Sequence, residues 1–109
     1  MLKIKIEDDF RKFIEKINNK FKPCKIILFG SRARDNFLKN SDYDVIVVSD
    51  KFKGIHFLDR MKLIYEFWNK MEHLDVLCYT VEEFKRKEKE IGTVSKALEE
   101  GILLVGGDL

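Results

Sequence analysis

Three short apolar runs govern what this chain can fold into: KIILF at 25–29, YDVIVVS at 43–49 and LDVLCY at 74–79. Runs of this length, rich in Ile and Val, suit strands covered on both faces. Around them the apolar residues recur at helical spacing instead. Phe10, Phe13, Ile14, Ile17 and Phe21 form one stripe, which predicts a helix over 8–21 with Asp8 as N-cap and Pro23 as the stop. Phe57, Leu58, Met61, Ile64, Tyr65, Trp68 and Met71 form a second stripe and predict a longer helix over 56–72. Thr80 and Glu83 have capping-box spacing at the head of a charged helix running to about Ile91. Thr93 caps a further short helix stopped by Gly101, and ILLV at 102–105 reads as a final strand. With a short helix after the first strand, this order predicts one α/β (α+β) domain over 1–109, a small mixed sheet flanked by helices.

Several function classes are disfavoured by composition. The net charge of +2, from 21 basic and 19 acidic residues, supplies no strong field for holding nucleic acid. No stretch approaches the roughly 20 apolar residues of a membrane span, and MLKIKIEDDF breaks into charge too early for a signal peptide, so a cytoplasmic location is expected. Cys24 and Cys78 lack zinc-type spacing and read as reduced and buried. His56 and His73 lack ligand or triad spacing and read as surface or structural residues. The run KRKEKE alternates in sign and reads as a solvated helix face, and Tyr65, Trp68 and Met71 as core or interface. Neither a G-x-G-x-x-G fingerprint nor a Walker-type lysine is present.

The candidate chemistry lies in GSRARDNFLKNSDYD at 30–44. Asp42 and Asp44 are two apart at the head of a strand, so both side chains point to one face. Like charges that close raise the free energy of the fold unless a proton or cation intervenes, and paired carboxylates suit Mg²⁺. A solvated strand entry, with Asp42 capping the turn, is the plain alternative. Gly30 and Ser31 follow the first strand directly, where Gly permits close backbone approach and Ser heads a turn suited to an anion. Arg32 and Arg34 add charges of the right sign for phosphate, although one of them can equally pair with a local acid such as Asp35. Asp75 heads the third strand and shares its face with Leu77 and Tyr79.

If these groups meet, topology follows. The first strand must end where the second begins, which requires an antiparallel pair. The third must begin where the second begins, which requires a parallel pair and a crossover through 56–72.

Gly30-Ser31, ten intervening residues, Asp42-Tyr43-Asp44 and then Asp75 resemble the signature of the DNA polymerase β-type nucleotidyltransferase superfamily. GSRARDNFLKNSDYDVIVV is most similar to its minimal nucleotidyltransferases, the MNT proteins. The resemblance runs from the first helix through the third strand and departs where similar proteins continue GSRARG, since this chain has Asp35; Asp35 or Asn36 would then adopt any left-handed turn. It implies a polymerase β-like palm fold and nucleotidyl transfer from ATP or another nucleoside triphosphate. Asp42, Asp44 and Asp75 would hold two Mg²⁺ ions and be catalytic, while Gly30, Ser31, Arg32 and Arg34 would bind the nucleotide. Similar proteins pair with a HEPN protein as antitoxin and toxin, some transferring AMP to the partner's tyrosine, so a HEPN-type protein acceptor is expected, as no second domain for an acceptor is evident in the chain. A partner-binding module that silences by occlusion is the competing reading, and an aminoglycoside-modifying enzyme the third.

Overall fold

The apolar runs become neighbouring strands. The computed structural model describes residues 7–34 and 41–106. Its elements are α1 (Asp8–Phe21), β1 (Cys24–Phe29), β2 (Tyr43–Ser49), a 3-10 turn (Asp50–Phe52), α2 (Phe57–Tyr65), β3 (Leu74–Tyr79), α3 (Val81–Glu88), α4 (Thr93–Glu100) and β4 (Ile102–Val105). The sheet has the order β3-β2-β1-β4. β1 is antiparallel to β2 and β4, whereas β2 and β3 are parallel, so the sheet is mixed as the sequence requires.

Strand alternation sorts the core into two layers. Ile26, Leu28, Val45, Val47, Val76 and Cys78 face α1 and α2, where they pack with Phe10, Ile17, Phe52 and Ile64. Ile27, Ile46 and Val48 face the other way, against Phe84 of α3 and Val94 and Ala97 of α4. Both cysteines are free and buried, and burial pushes the Cys78 thiol up to about 12. No helix of the described residues is long and apolar enough to cross a membrane.

Local expectations need correction at five places. Glu7, not Asp8, occupies the N-cap position of α1; Asp8 and Asp9 lie in its first turn, where their charges favour the helix dipole. Residues 31–34 form turns rather than a helix: the Ala33 N–H donates to the Gly30 carbonyl and the Arg34 N–H to the Ser31 carbonyl. The proposed turn at Asp35 or Asn36 lies outside the described residues. α2 ends at Tyr65 instead of 72, because Phe67 and Trp68 tighten into i–3 backbone bonds and the Trp68 indole seats edge-on against Phe13 and Tyr43, donating to the Glu72 carbonyl. Phe57, Leu58 and Met71 of the apolar stripe are exposed, and Arg60 is buried in their stead.

α3 stops at Glu88, leaving Ile91 fully exposed. Its predicted capping box is present: Glu83 N–H donates to Thr80 Oγ1, and Thr80 N–H to Glu83 Oε1. Gly92, not Thr93, takes the N-cap position of α4, with its N–H donating to Ser95 Oγ. One edge of the sheet is blunted by side chains, since the Tyr65 hydroxyl donates to the Leu74 carbonyl and the Arg60 guanidinium to the Cys78 carbonyl of β3.

Candidate active site

Register brings the acids together. Phe29, the last residue of β1, lies opposite Asp44, and Asp44 lies opposite Asp75 of β3. Asp44, Asp75, Leu77 and Tyr79 therefore share the sheet face that carries α3 and α4. Burial, reinforced by the Asp75 and Asp42 charges and a hydrogen bond with Asp75, raises the Asp44 carboxyl to about 6. Asp42 is exposed just before β2, and Asp75 is exposed beside Asp44. His73 joins them: its Nε2 lies 3.0 Å from Asp75 Oδ1. The sequence reading set this histidine aside, because parity with Asp75 two residues on was the sole signal, and that signal is weak without knowledge of the neighbours.

Gly30 closes the site from the side of β1. It has φ +74°, and a Cβ there would run into the Asp44 carboxylate, 3.1 Å from its Cγ. Both facts require glycine. Gly30→Ala is expected to destabilise the protein by about 2 kcal/mol from the left-handed strain and the clash. Any activity that depends on the Asp44 carboxylate should fall about tenfold as Asp44 is displaced. Thermal melts and initial rates check the two parts.

The two arginines separate. Arg32 is 3% exposed. Its Nε and Nη2 donate to the Ser41 carbonyl at 3.1 and 2.9 Å, its Nη1 pairs with Glu7, and its guanidinium stacks 3.8 Å from the Tyr43 ring centroid. It ties the 31–34 turn to Ser41, immediately before Asp42. Arg34 is exposed, pairs with Glu100 at 3.3 Å, and lines a cleft of about 210 Å³ with Phe29, Gly30, Thr93 and Lys96. Ser31 is half-buried at the start of the turn that carries both.

Behind the Asp-Tyr-Asp segment, Tyr43 is the hub of a charge network that the sequence reading missed. Its hydroxyl donates to Glu7, its ring stacks on Phe10 at 4.5 Å, and Lys70 lies over it. Lys70 is nearly buried, and its Nζ contacts Asp9 at 2.7 Å and Glu7 at 3.3 Å. Burial alone would lower its pKa, but these acids hold it above the ordinary lysine value. Burial raises the Tyr43 phenol to about 12, so it remains a neutral donor. The segment that presents Asp42 and Asp44 is thus anchored from α1, the 31–34 turn and the chain entering β3.

Among the described residues, no three acidic, histidine or cysteine side chains close a metal cage. The donor set fits an open Mg²⁺ site: the acids are hard oxygen donors, Asp44 and Asp75 are adjacent, and magnesium commonly takes one or two carboxylates and leaves positions for phosphate.

An acid pair at the paired heads of two parallel strands, walled by a glycine turn, defines a site suited to phosphoryl chemistry. The chain matches the nucleotidyltransferase domain family over residues 10–104 and belongs to it. Among solved structures, a Sulfolobus solfataricus protein provisionally described as a nucleotidyltransferase is similar at 24% identity and TM-score 0.60, over 87% of this chain and 75% of that one. Arabidopsis thaliana BolA1 is similar at 19% identity and TM-score 0.58, over 72% of this chain and 98% of that one. The BolA domain of SufE1 from Arabidopsis thaliana is similar at 18% identity and TM-score 0.58, over 72% and 99%. These likenesses show the fold alone; they place the mixed sheet and helices in a known architecture. Among curated proteins, none matches this sequence.

Proposed function

We propose that this nucleotidyltransferase moves a nucleoside monophosphate, AMP from ATP, onto a hydroxyl of a HEPN-type protein partner and so acts as its antitoxin. The observation that carries the reading is the Asp44–Asp75 pair in register, with Gly30 packed against Asp44. The motif resemblance from Gly30 to Asp75 supports the MNT subtype, and the exposure of Asp42 and Asp75 supports an acceptor as large as a protein.

Gly30 and Ser31 receive the triphosphate tail, and Arg34 neutralises it from the adjoining cleft. Arg32 keeps the segment before Asp42 in place. The acceptor oxygen attacks the α-phosphorus, an O–P bond forms, the bond to pyrophosphate breaks, and the hydroxyl proton passes to Asp75, which His73 orients. Mg²⁺, held by Asp42, Asp44 and Asp75 as one or two ions, would supply charge neutralisation at the phosphates.

The test incubates the protein with Mg²⁺, α-phosphate-labelled ATP and lysate of its own host, beside the Asp42→Asn/Asp44→Asn double variant. Label appearing on one host protein only with wild type is the expected result. A co-purifying partner that stays unlabelled, yet is silenced equally by the folded double variant, replaces the transferase with an occluding module.

A further inference from the structure

We propose that the groove between β3 and α3 docks an acidic, apolar-flanked segment of the protein acceptor and leads its hydroxyl residue to Asp75; the inference rests on the transferase reading above. Asp75, Leu77 and Tyr79 lie along one face of β3. Tyr79 lines a cleft of about 650 Å³ together with Phe57 and Arg86. A second cleft, of about 320 Å³, shares Tyr79, Lys87 and Glu90 with the first and continues along the strand to Leu77 and the exposed Ile91. From Tyr79 to Asp75 the strand advances about 13 Å, the reach of roughly four extended residues. The clefts reach Leu77, whose neighbour along the same face of β3 is Asp75, so a chain laid in this groove points toward the acid pair.

Charge indicates what fills it. Arg60 is satisfied by Glu83, and Lys87 is paired with Glu90 at 3.5 Å. Arg86 has no carboxylate partner among the described residues, and it also faces an adjoining cleft where Lys53, Lys85 and Lys89 outnumber Asp50 and Glu82, Lys53 lying 3.8 Å from Asp50. A surplus of cations beside an exposed phenylalanine, 40% accessible, is complementary to a segment that mixes glutamate or aspartate with aliphatic side chains. The Arg86 and Phe57 side chains are free to meet it without repacking of the core.

Fluorescence anisotropy measures the idea with two labelled hexapeptides. One carries two glutamates, a leucine and a terminal tyrosine; the other has lysines in place of the glutamates. Wild type should bind the acidic peptide about tenfold more tightly, with affinity falling as salt rises. Arg86→Glu should remove or invert that preference, and Phe57→Ser should weaken the acidic peptide severalfold, both with an unchanged far-ultraviolet spectrum. Equal affinities, no binding of either peptide, or a preference untouched by Arg86→Glu overturns the groove. The same peptides in the labelled-ATP assay separate the two ideas. Charge-selective binding without label on tyrosine keeps the groove and removes the transferase reading; label transfer without charge selectivity removes the groove and keeps the transferase.

Discussion

Asp44→Asn is expected to abolish nucleotidyl transfer while making the isolated protein more stable at neutral pH. Transfer should fall about 10³-fold, equivalent to about 4 kcal/mol, because a neutral amide removes the anionic oxygen paired with Asp75. Stability moves the other way. Burial and the neighbouring Asp75 and Asp42 charges raise the Asp44 carboxyl from 3.8 to about 6, so the folded state binds its proton more tightly than the unfolded chain does. Below about pH 4 the group is protonated in both states and costs nothing. Between pH 4 and 6 stability falls as pH rises, and above 6 the whole penalty is present, about 1–3 kcal/mol for a partly buried group. Metal-free Asp44→Asn should therefore melt several degrees above wild type at pH 7, and the gain should vanish near pH 4. Mg²⁺ should narrow the gap at pH 7 by stabilising wild type alone. A variant that melts below wild type at pH 7 would show that Asp44 is solvated rather than crowded, and would undercut the acid pair as the centre of the site.

That trade of stability for an acid cluster is also why the candidate site stood out before the fold was known. An aspartate at the second position of Tyr43–Ser49, directly ahead of the apolar run Val45–Val48, conflicts with its surroundings, and such local conflicts point to function. Requiring Gly30, Asp44 and Asp75 to meet then left one arrangement of three strands, antiparallel and parallel, which the register reproduces. What stayed hidden depends on contacts between residues distant in the chain. Lys70 reads as the polar end of a helix, yet its side chain is 5% exposed because Asp9 and Glu7, some sixty positions earlier, surround its ammonium. Arg32 has the charge expected of a phosphate-binding residue, but its guanidinium is taken by the Ser41 carbonyl and the Tyr43 ring. The periodic stripe continued past Tyr65 because Trp68 is as apolar as a helical core position requires; only its seat against Phe13 and Tyr43 ends the helix. Phe52, at the end of the 3-10 turn, belongs to no periodic stripe and is fully buried against Phe21. Periodicity reports which residues want burial, and it does not say in which element they find it.

The strongest stability effect should come from Glu83, far from the acids. Its carboxylate accepts from Arg60 at 2.6 and 3.3 Å and from the Thr80 N–H at 2.8 Å, so one side chain both neutralises a buried guanidinium and caps α3. Arg60 in turn donates to the Ile55 and Cys78 carbonyls, tying α2 to the edge of β3. Glu83→Ala strands that cation and opens the cap, and should cost about 3–5 kcal/mol, enough to lower the melting temperature by some 15 °C or more. Glu83→Gln retains the cap and should cost less, about 2–3 kcal/mol. Adding Arg60→Met to Glu83→Gln should return part of that loss, since the uncompensated charge is gone, but not all of it, because the Ile55 and Cys78 carbonyls lose their donor. The pH dependence has the opposite sign to that of Asp44. The Arg60 hydrogen bonds lower the Glu83 carboxyl from 4.5 to about 2, so its contribution is complete above about pH 4.5 and drains away as pH falls toward 2. Wild type should lose stability across that window more steeply than Glu83→Gln. Parallel acid profiles for the two proteins would mean that the guanidinium finds another counter-charge, and that α2 and β3 are held together by packing alone.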